Sequence, residues 1–429
     1  VFGIVPGLRL ASSNLQEALK DSGPGTGTGR KHERVRSVLV VTEVALACML
    51  LVGAGLLLRS FLHVLDVDLG FQPERAAAIH VDYNDSVPGD TDGSLSAARL
   101  RTIFQGIIAR VSALPGVEAA GIVDYLPLGH NRSWGTPLPE GVKYSKSTPA
   151  GPLVYVATPG YLRAMGTPLR GRDFAWSDGF KSEQVVIVDK AFAQYLASIA
   201  HWSDGDALGK TLVDGNDKMR IVGIAGDVHE ESTEANTGWQ IYYSATQKNP
   251  SGAELVIRTR MNPDTLAGPV LRALRDLNPR QPAAEFKPIQ MLVDHANSPR
   301  RFFMILVAAF ATLGLLLAAL GIYGVIGYSV TRKTQEIGIR MALGATAQRV
   351  ERDILAGTLR LALAGVVIGT IASLAVARLI ATLLYGTSPF DVVTYVAIAV
   401  GLLAVALASG YIPARRAARI DPMAALRAN

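Results

Sequence analysis

The chain has 429 residues, a hydrophobic share of 49%, a mean hydropathy of +0.26 and a formal charge of +6. That length allows two or three domains, and that hydropathy argues against an ordinary soluble protein and for membrane-spanning segments. The only cysteine, Cys48, lies in an apolar run, which excludes disulfides and thiolate metal sites within the chain.

Residues 1–20 repeat the other end of the chain. Val5 to Lys20 aligns without a gap on Ile412 to Arg427, with a shared proline, arginine and alanine and a final Ala-Leu-basic triplet. The simplest explanation is that residues 1–20 are the tail of a preceding copy of the same module, making this chain the second half of a duplicated protein. A chance likeness of two basic juxtamembrane helices stays open. Residues 21–36 read as a flexible basic linker, because Asp21 to Gly29 is Gly/Thr-rich and has nothing to bury.

A first transmembrane helix is expected over residues 37–61. Its apolar part, Val38 to Leu58, contains one charge, Glu43, about two turns from the end of the span. A charge there is costly, and snorkelling or pairing with a neighbouring helix is the plain account of it. The run is too long for a signal-peptide core and no small-residue cleavage pattern follows, so it reads as a retained anchor.

Residues 62–299 read as a large mixed α/β domain. Alternation predicts strands at 77–83 and 117–123 around a helix at 95–114, and the same order returns with 254–260, 266–277 and 284–288. Between these two units lie expected strands at 153–157, 185–188, 220–225 and 240–243 and a helix at 190–198. The economical description is two α/β units with an inserted β-rich subdomain.

Residues 300–429 form the remaining membrane domain. Its spans are expected at about 302–328, 361–384 and 392–413, each near the roughly 20 residues that a bilayer core requires. Phe302 to Ile326 carries no charge, and the third span holds only Arg378. Soon after the second span, Thr331 to Ala345 predicts a short amphipathic helix over about 333–343. Glu336 and Arg340 stand four apart in the favourable acid-first order, Ile337, Met341 and Leu343 supply apolar contacts, and Gly344 is a natural stop. Gly365 and Gly369 have the small-x-x-x-small spacing of a helix-packing face.

Charge sets the topology. Residues 62–299 hold 22 Lys/Arg against 27 Asp/Glu, so the basic excess lies elsewhere. It gathers at Arg30, Lys31, Arg34 and Arg36, at Arg332, Lys333, Arg340, Arg349 and Arg352, and at Arg415, Arg416, Arg419 and Arg427. The positive-inside rule places these segments and both termini in the cytosol and the acidic domain outside. Arg59, Arg300 and Arg301 fall on the other side, flanking the long domain. The basic balance is thus a topology signal, and nucleic acid is not an expected partner.

Catalytic chemistry finds little support. Gly209-Lys210-Thr211 resembles the end of a phosphate loop, but Asp204 occupies the position that needs glycine. His229-Glu230-Glu231 lacks the second histidine of a zinc helix. No Gly-x-Ser-x-Gly elbow occurs. No catalytic, metal or cofactor site is therefore expected, and the chain reads as a non-enzyme.

The residues do carry a family resemblance. One span, a large external domain, three further spans and Glu336 to Ala345 after the second span resemble the MacB-type ABC transporter permeases with an FtsX-like membrane domain. The external domain is similar to that family's periplasmic core domain in Leu114 to Glu118, Pro159 to Gly166, Gly171 to Phe174, Gly209-Lys210 and Val222 to Val228. The repeated tail resembles large acidobacterial-type permeases with two modules in one chain.

The resemblance implies a bacterial inner-membrane permease driven by a separate cytosolic ATPase dimer. The docking helix would offer Glu336, Ile337, Gly338, Arg340, Met341 and Gly344. Expected partners are that ATPase, a second permease module, membrane lipid and a periplasmic protein, and the expected activity is export of an unknown substrate. A signalling or scaffold protein that regulates an external partner without moving a solute is the alternative. A membrane-anchored enzyme is the third class, and it needs an external acid/base or metal constellation.

Overall fold

The computed structural model describes residues 28–83, 94–129, 131, 133, 135–145, 149–202, 206–230, 238–282, 284–381 and 384–419. The repeat in residues 1–20, residues 21–27 of the linker and Arg427 lie outside them; residues 28–36, expected as flexible linker, are instead the first turns of a helix that runs on into the first span. The chain divides into a helical unit, residues 1–63 with 301–429, and an α/β unit, residues 64–300.

In chain order the elements are α1 (Thr28–Leu65), β1 (Ala76–His80), α2 (Ser94–Ser112), β2 (Val117–Val123), β3 (Leu138–Pro139), β4 (Leu153–Ala157), α3 (Tyr161–Met165), β5 (Leu169–Gly171), β6 (Gln184–Asp189) and α4 (Lys190–Ala200). There follow β7 (Thr211–Asp214), β8 (Asp217–Ala225), β9 (Gln240–Ser244), β10 (Glu254–Thr259), α5 (Ala267–Leu277), β11 (Lys287–Pro288), α6 (Ile289–Arg332), α7 (Thr334–Ala342), α8 (Ala347–Leu379) and α9 (Val392–Ala417).

The α/β unit is built on one sheet, ordered β11-β1-β10-β2-β4-β9-β6-β8-β7-β3, with β5 on β8. The two expected strand-helix-strand units do not stand side by side. They interleave: β10 runs antiparallel between β1 and β2, and β11 pairs with β1, which is the split ferredoxin-like order. The intervening strands extend this sheet rather than forming a separate one, joined through the single pair Val123 and Ala157. Beyond that junction β4 runs parallel to β9, and β6 parallel to β8.

Strand alternation fills both faces. Val154, Val156, Val186 and Val188 join one core with Leu100 and Phe104 of α2 and Phe192 and Leu196 of α4. Tyr155, Ala157, Val185 and Ile187 join the opposite core with Tyr161, Leu162 and Met165 of α3. With both faces covered, these strands read as continuous apolar runs. Ile289 and Val293, at the start of α6, belong to the second core, so this helix begins well before the apolar span that marks it in the sequence.

Among the described residues four helices are long and apolar enough to cross a membrane: Arg34–Leu65 within α1, then α6, α8 and α9. Val40, Val44, Ala47, Cys48, Val52 and Leu56 form a stripe along α1 at helical spacing, buried against Ala318 and Ile322 of α6, Ala362 and Val366 of α8, and Leu402 and Ala406 of α9. Phe302, Phe303, Phe310 and Leu320 of α6 are exposed, as a lipid-facing surface would be. Pro413 lies inside α9, which continues past the sequence-predicted end of the span to Ala417.

Candidate functional site

The residues singled out at the end of the second span do form a separate short helix. After α6 ends at Arg332, only Lys333 intervenes before α7. The Thr334 hydroxyl donates back to Val330 O and Thr331 O at 3.0 and 2.8 Å, tying the start of α7 to the last turn of α6. At its other end the Ala345 amide donates to Arg340 O and the Gly344 amide to Met341 O, both at 3.0 Å, a Schellman closure. That closure needs the left-handed φ of +98° that Gly344 adopts. Gly344 is therefore the stop expected for it.

The helix has an inner and an outer face. Ile337 is buried against Val350 of α8 and Ala417 of α9, with Met341 packed at the edge of the same cluster. Gly338 is also buried. The outer face carries Glu336, bonded to Arg340, with both side chains more than half exposed. Ile339 and Leu343 lie there too, at 43% and 83% exposure. Of the six residues named as the docking interface, Glu336, Arg340 and Gly344 face outward, whereas Ile337 and Gly338 hold the helix to its own bundle. Leu343, expected to join Ile337 and Met341 as an apolar contact, is exposed instead, because the Schellman turn at Gly344 carries it away from the bundle; with Ile339, four residues earlier, it completes the outer face.

Beside α7 lies an open groove of about 1290 Å³. Val325, Ile326, Val330, Ile354 and Leu361 supply its apolar lining. Arg34 of α1, Lys333, Arg340 of α7 and Arg349 of α8 stand with Glu336 and Asp353 around it.

Gly365 and Gly369 pack elsewhere. A methyl on Gly365 would meet Val44 Cβ at 2.6 Å, and one on Gly369 would meet Cys48 Cβ at 2.6 Å and Ala45 O at 2.7 Å. These two glycines thus set the close approach of α8 to α1. Glu43 also faces a neighbouring helix: a methyl on Gly321 of α6 would fall 2.0 Å from Glu43 Oε2. That oxygen has no hydrogen-bond partner among the described residues. Toward the opposite end of α1, Arg59 is ion-paired with Asp391, His63 Nδ1 lies 3.0 Å from Thr387 Oγ1, and the Tyr385 amide donates to Ser60 Oγ.

The α/β unit buries a polar network that no sequence motif announces. Tyr155 donates to Glu230, whose other oxygen accepts from Gln240 Nε2 at 3.1 Å, and Tyr242 donates to Gln240 Oε1 at 3.1 Å. Asp189 caps α4 by accepting from the Phe192 amide and also accepts from the Gln240 amide at 3.0 Å. Burial pushes both carboxyls up to about 8, reinforced at Asp189 by nearby Asp227 and at Glu230 by Asp189.

Gly209-Lys210 forms the turn before β7, with the Gly209 amide donating to Ile221 O, as a loop before a strand would. Among the described residues no group of three or more His, Cys, Asp or Glu side chains could hold a metal ion.

Two family models match the chain: the MacB-like periplasmic core domain over residues 37–276 and the FtsX-like permease C-terminal domain over residues 308–422. A macrolide export ATP-binding/permease protein MacB of Hahella chejuensis is 25% identical over 361 residues, which cover 81% of this chain and 52% of that protein. The corresponding protein of Acinetobacter baylyi is 35% identical over 124 residues, 28% of this chain and 19% of that protein. The chain spans about half the length of the first of these relatives and less of the second. The crystal structure of the periplasmic region of MacB from Actinobacillus actinomycetemcomitans aligns with TM-score 0.34 and 14% identity, covering 54% of this chain and 95% of that one.

Proposed function

This chain belongs to the ABC transporter permeases that combine a MacB-like periplasmic core domain with an FtsX-like permease domain, and we propose that it couples ATP hydrolysis in a cytosolic ATPase to movement of its external domain and export of a substrate. The observation that carries this reading is α7. Its inner face is fixed by Ile337, its end is closed at Gly344, and its outer face presents a charge pair beside two exposed aliphatic side chains. Such a helix, one residue from the end of a span, can take a push from a soluble partner without unfolding.

The basic clusters at Arg34, at Lys333 with Arg349, and at Arg415 with Arg416 support a cytosolic position for α7 and an inner-membrane location with the α/β unit outside. The relatives are named as joining ATP binding and permease in one protein. Here we assign ATP hydrolysis to a partner polypeptide and a non-catalytic role to this chain. A second permease module, as the repeated tail implies, would give an ATPase dimer one docking helix on each side. Macrolides, from the names of the relatives, are the first substrate class to probe.

Affinity purification of the full chain from native membranes tests the docking face. Glu336→Arg combined with Arg340→Glu keeps an i, i+4 pair in α7 but inverts the charges a partner meets. Copurification of an ABC ATPase should fall at least tenfold, and unchanged copurification would sink the docking assignment.

A further inference from the structure

The groove beside α7 shares Glu336 and Arg340 with the proposed docking face but also gathers cations from outside α7. Its charged residues come from separate parts of the chain: Arg34 from α1, Lys333 from the α6–α7 junction, Arg340 from α7 and Arg349 from α8. Against these four cations stand Glu336, which is engaged by Arg340, and Asp353. The folded chain thus gathers a cationic excess at one place, and such a gathering favours a bound anion.

Below the charges the lining is aliphatic. Val325, Ile326 and Leu361 also line a narrow seam that continues between α1, α6 and α8 toward Val40 and Ile322. Among the described residues no aromatic side chain and no glycine-rich phosphate loop lines the groove, so they offer no stacking platform for a nucleotide base. Its place is the end of the membrane spans, since Arg34 opens the span of α1 and the other linings come from the last turns of α6, from α7 and its closing turn, and from the first turns of α8. A basic pocket between membrane helices at the interface is suited to an anionic lipid headgroup.

We propose that this groove binds one anionic phospholipid, its phosphate among Arg34, Lys333 and Arg349 and its acyl chains along Val325, Ile354 and Leu361. The lipid would tie the start of α1 to the start of α8 beside the docking helix. The proposal does not depend on the ATPase reading, since Arg34 and Arg349 lie outside α7.

The full chain, purified in mild detergent, is exchanged into nanodiscs of phosphatidylglycerol or of phosphatidylcholine with the same acyl chains. Lipid retention is read by native mass spectrometry after release, and thermal stability by circular dichroism. Phosphatidylglycerol should be retained at least tenfold over phosphatidylcholine and should raise Tm. Arg34→Gln with Arg349→Gln should abolish that preference while leaving Tm in phosphatidylcholine unchanged. Equal retention of the two lipids, or a preference that survives the double variant, would overturn the proposal. So would an equal Tm rise with millimolar inorganic phosphate in phosphatidylcholine, which would mean that the cations bind phosphate without the chains. Crosslinks from an ATPase subunit into the groove, in a complex that has lost its retained lipid, would assign the groove to that protein instead.

Discussion

In the α/β unit a carboxyl and tyrosine network lies in the middle of the sheet, whereas in the helical unit the paired polar side chains gather toward the two ends of the helices. Asp189, Glu230, Gln240 and Tyr155 are all at most 4% exposed and bond to one another or to buried backbone. Arg59 with Asp391, and Glu336 with Arg340, hold the corresponding places in the helical unit. The difference follows from the solvent each unit displaces. A buried carboxyl in a water-bathed domain can keep a proton and be satisfied by a few donors. A span in lipid has no water to exchange with, so the ion pairs sit where the helices end, while Glu43, inside a span, keeps one oxygen without a partner among the described residues.

The strongest test of this contrast is pH. The ordinary values of Asp189 and Glu230 are 3.8 and 4.5, and burial raises both to about 8. Between those limits the unfolded chain has released both protons and the folded unit still holds them. The folded state then binds more protons, so the stabilisation is complete below about pH 4, declines as pH rises, and is lost by about pH 8. The limiting slope is about 1.4 kcal/mol per pH unit for each group. All four tryptophans lie in residues 64–300, and Trp176, Trp202 and Trp239 pack against the core there, so tryptophan fluorescence follows the α/β unit. Urea midpoints of the full chain in detergent should fall between pH 5 and pH 8, and Glu230→Gln should flatten that fall. A flat profile for the unaltered chain would remove the contrast at its root.

Packing should act on the other unit. Gly369→Val places a methyl against Cys48 and the Ala45 carbonyl, and backbone cannot give way as a flexible side chain does. An overpacked contact of this kind costs about 1–3 kcal/mol. Helical circular dichroism should show a lower Tm, with the tryptophan transition unmoved. Gly401→Val is the control, because nothing lies within 4 Å of the added carbon. Equal effects at both glycines would mean that α8 does not depend on a close approach to α1.

These two cases also mark how far the sequence can be read. The Gly365 and Gly369 pair is visible in its four-residue spacing, and Val117–Val123 and Leu153–Ala157 are visible as apolar runs bounded by turns. The interleaving of β10 between β1 and β2 is not visible, because hydrogen bonding over so long a separation leaves no local pattern. The five-residue α3 is likewise hidden, being too short for a period and bounded by Gly160 and Gly166. Within α7 the Glu336 and Arg340 pair is legible, but the inward turn of Ile337 is set by Val350 and Ala417, far along the chain. The buried network is the least legible: nothing local around Glu230 marks it as buried, and its partners Tyr155 and Gln240 come from separate strands.

A smaller effect is expected where the polar groups close α9. Asp391 accepts from the Thr394 amide at 3.0 Å and is ion-paired with Arg59. Removal of such a cap costs about 1 kcal/mol. The Arg59 side chain is 41% exposed, so its ion pair adds only tenths. Asp391→Ala should therefore lower the helical Tm by a few degrees, and Asp391→Asn, which keeps an acceptor for the amide, should recover most of the loss. If Asn behaves like Ala, the ion pair rather than the cap holds this end.

The smallest stability change belongs to the site itself. Glu336→Ala deletes an exposed i, i+4 pair worth about 0.3–0.5 kcal/mol, too little to shift an unfolding curve measurably. The anchors of α7 lie elsewhere, in Ile337 at 7% exposure and in the left-handed turn at Gly344. The same substitution should nonetheless weaken ATPase copurification severalfold, because it removes one charge from the face a partner would touch. Ile337→Asp should do the reverse in order of cause, lowering Tm first and losing the partner only because the helix leaves its seat. A proportional loss of stability and partner binding in both variants would mean that the outer face has no role of its own; divergence between them would separate contact from support.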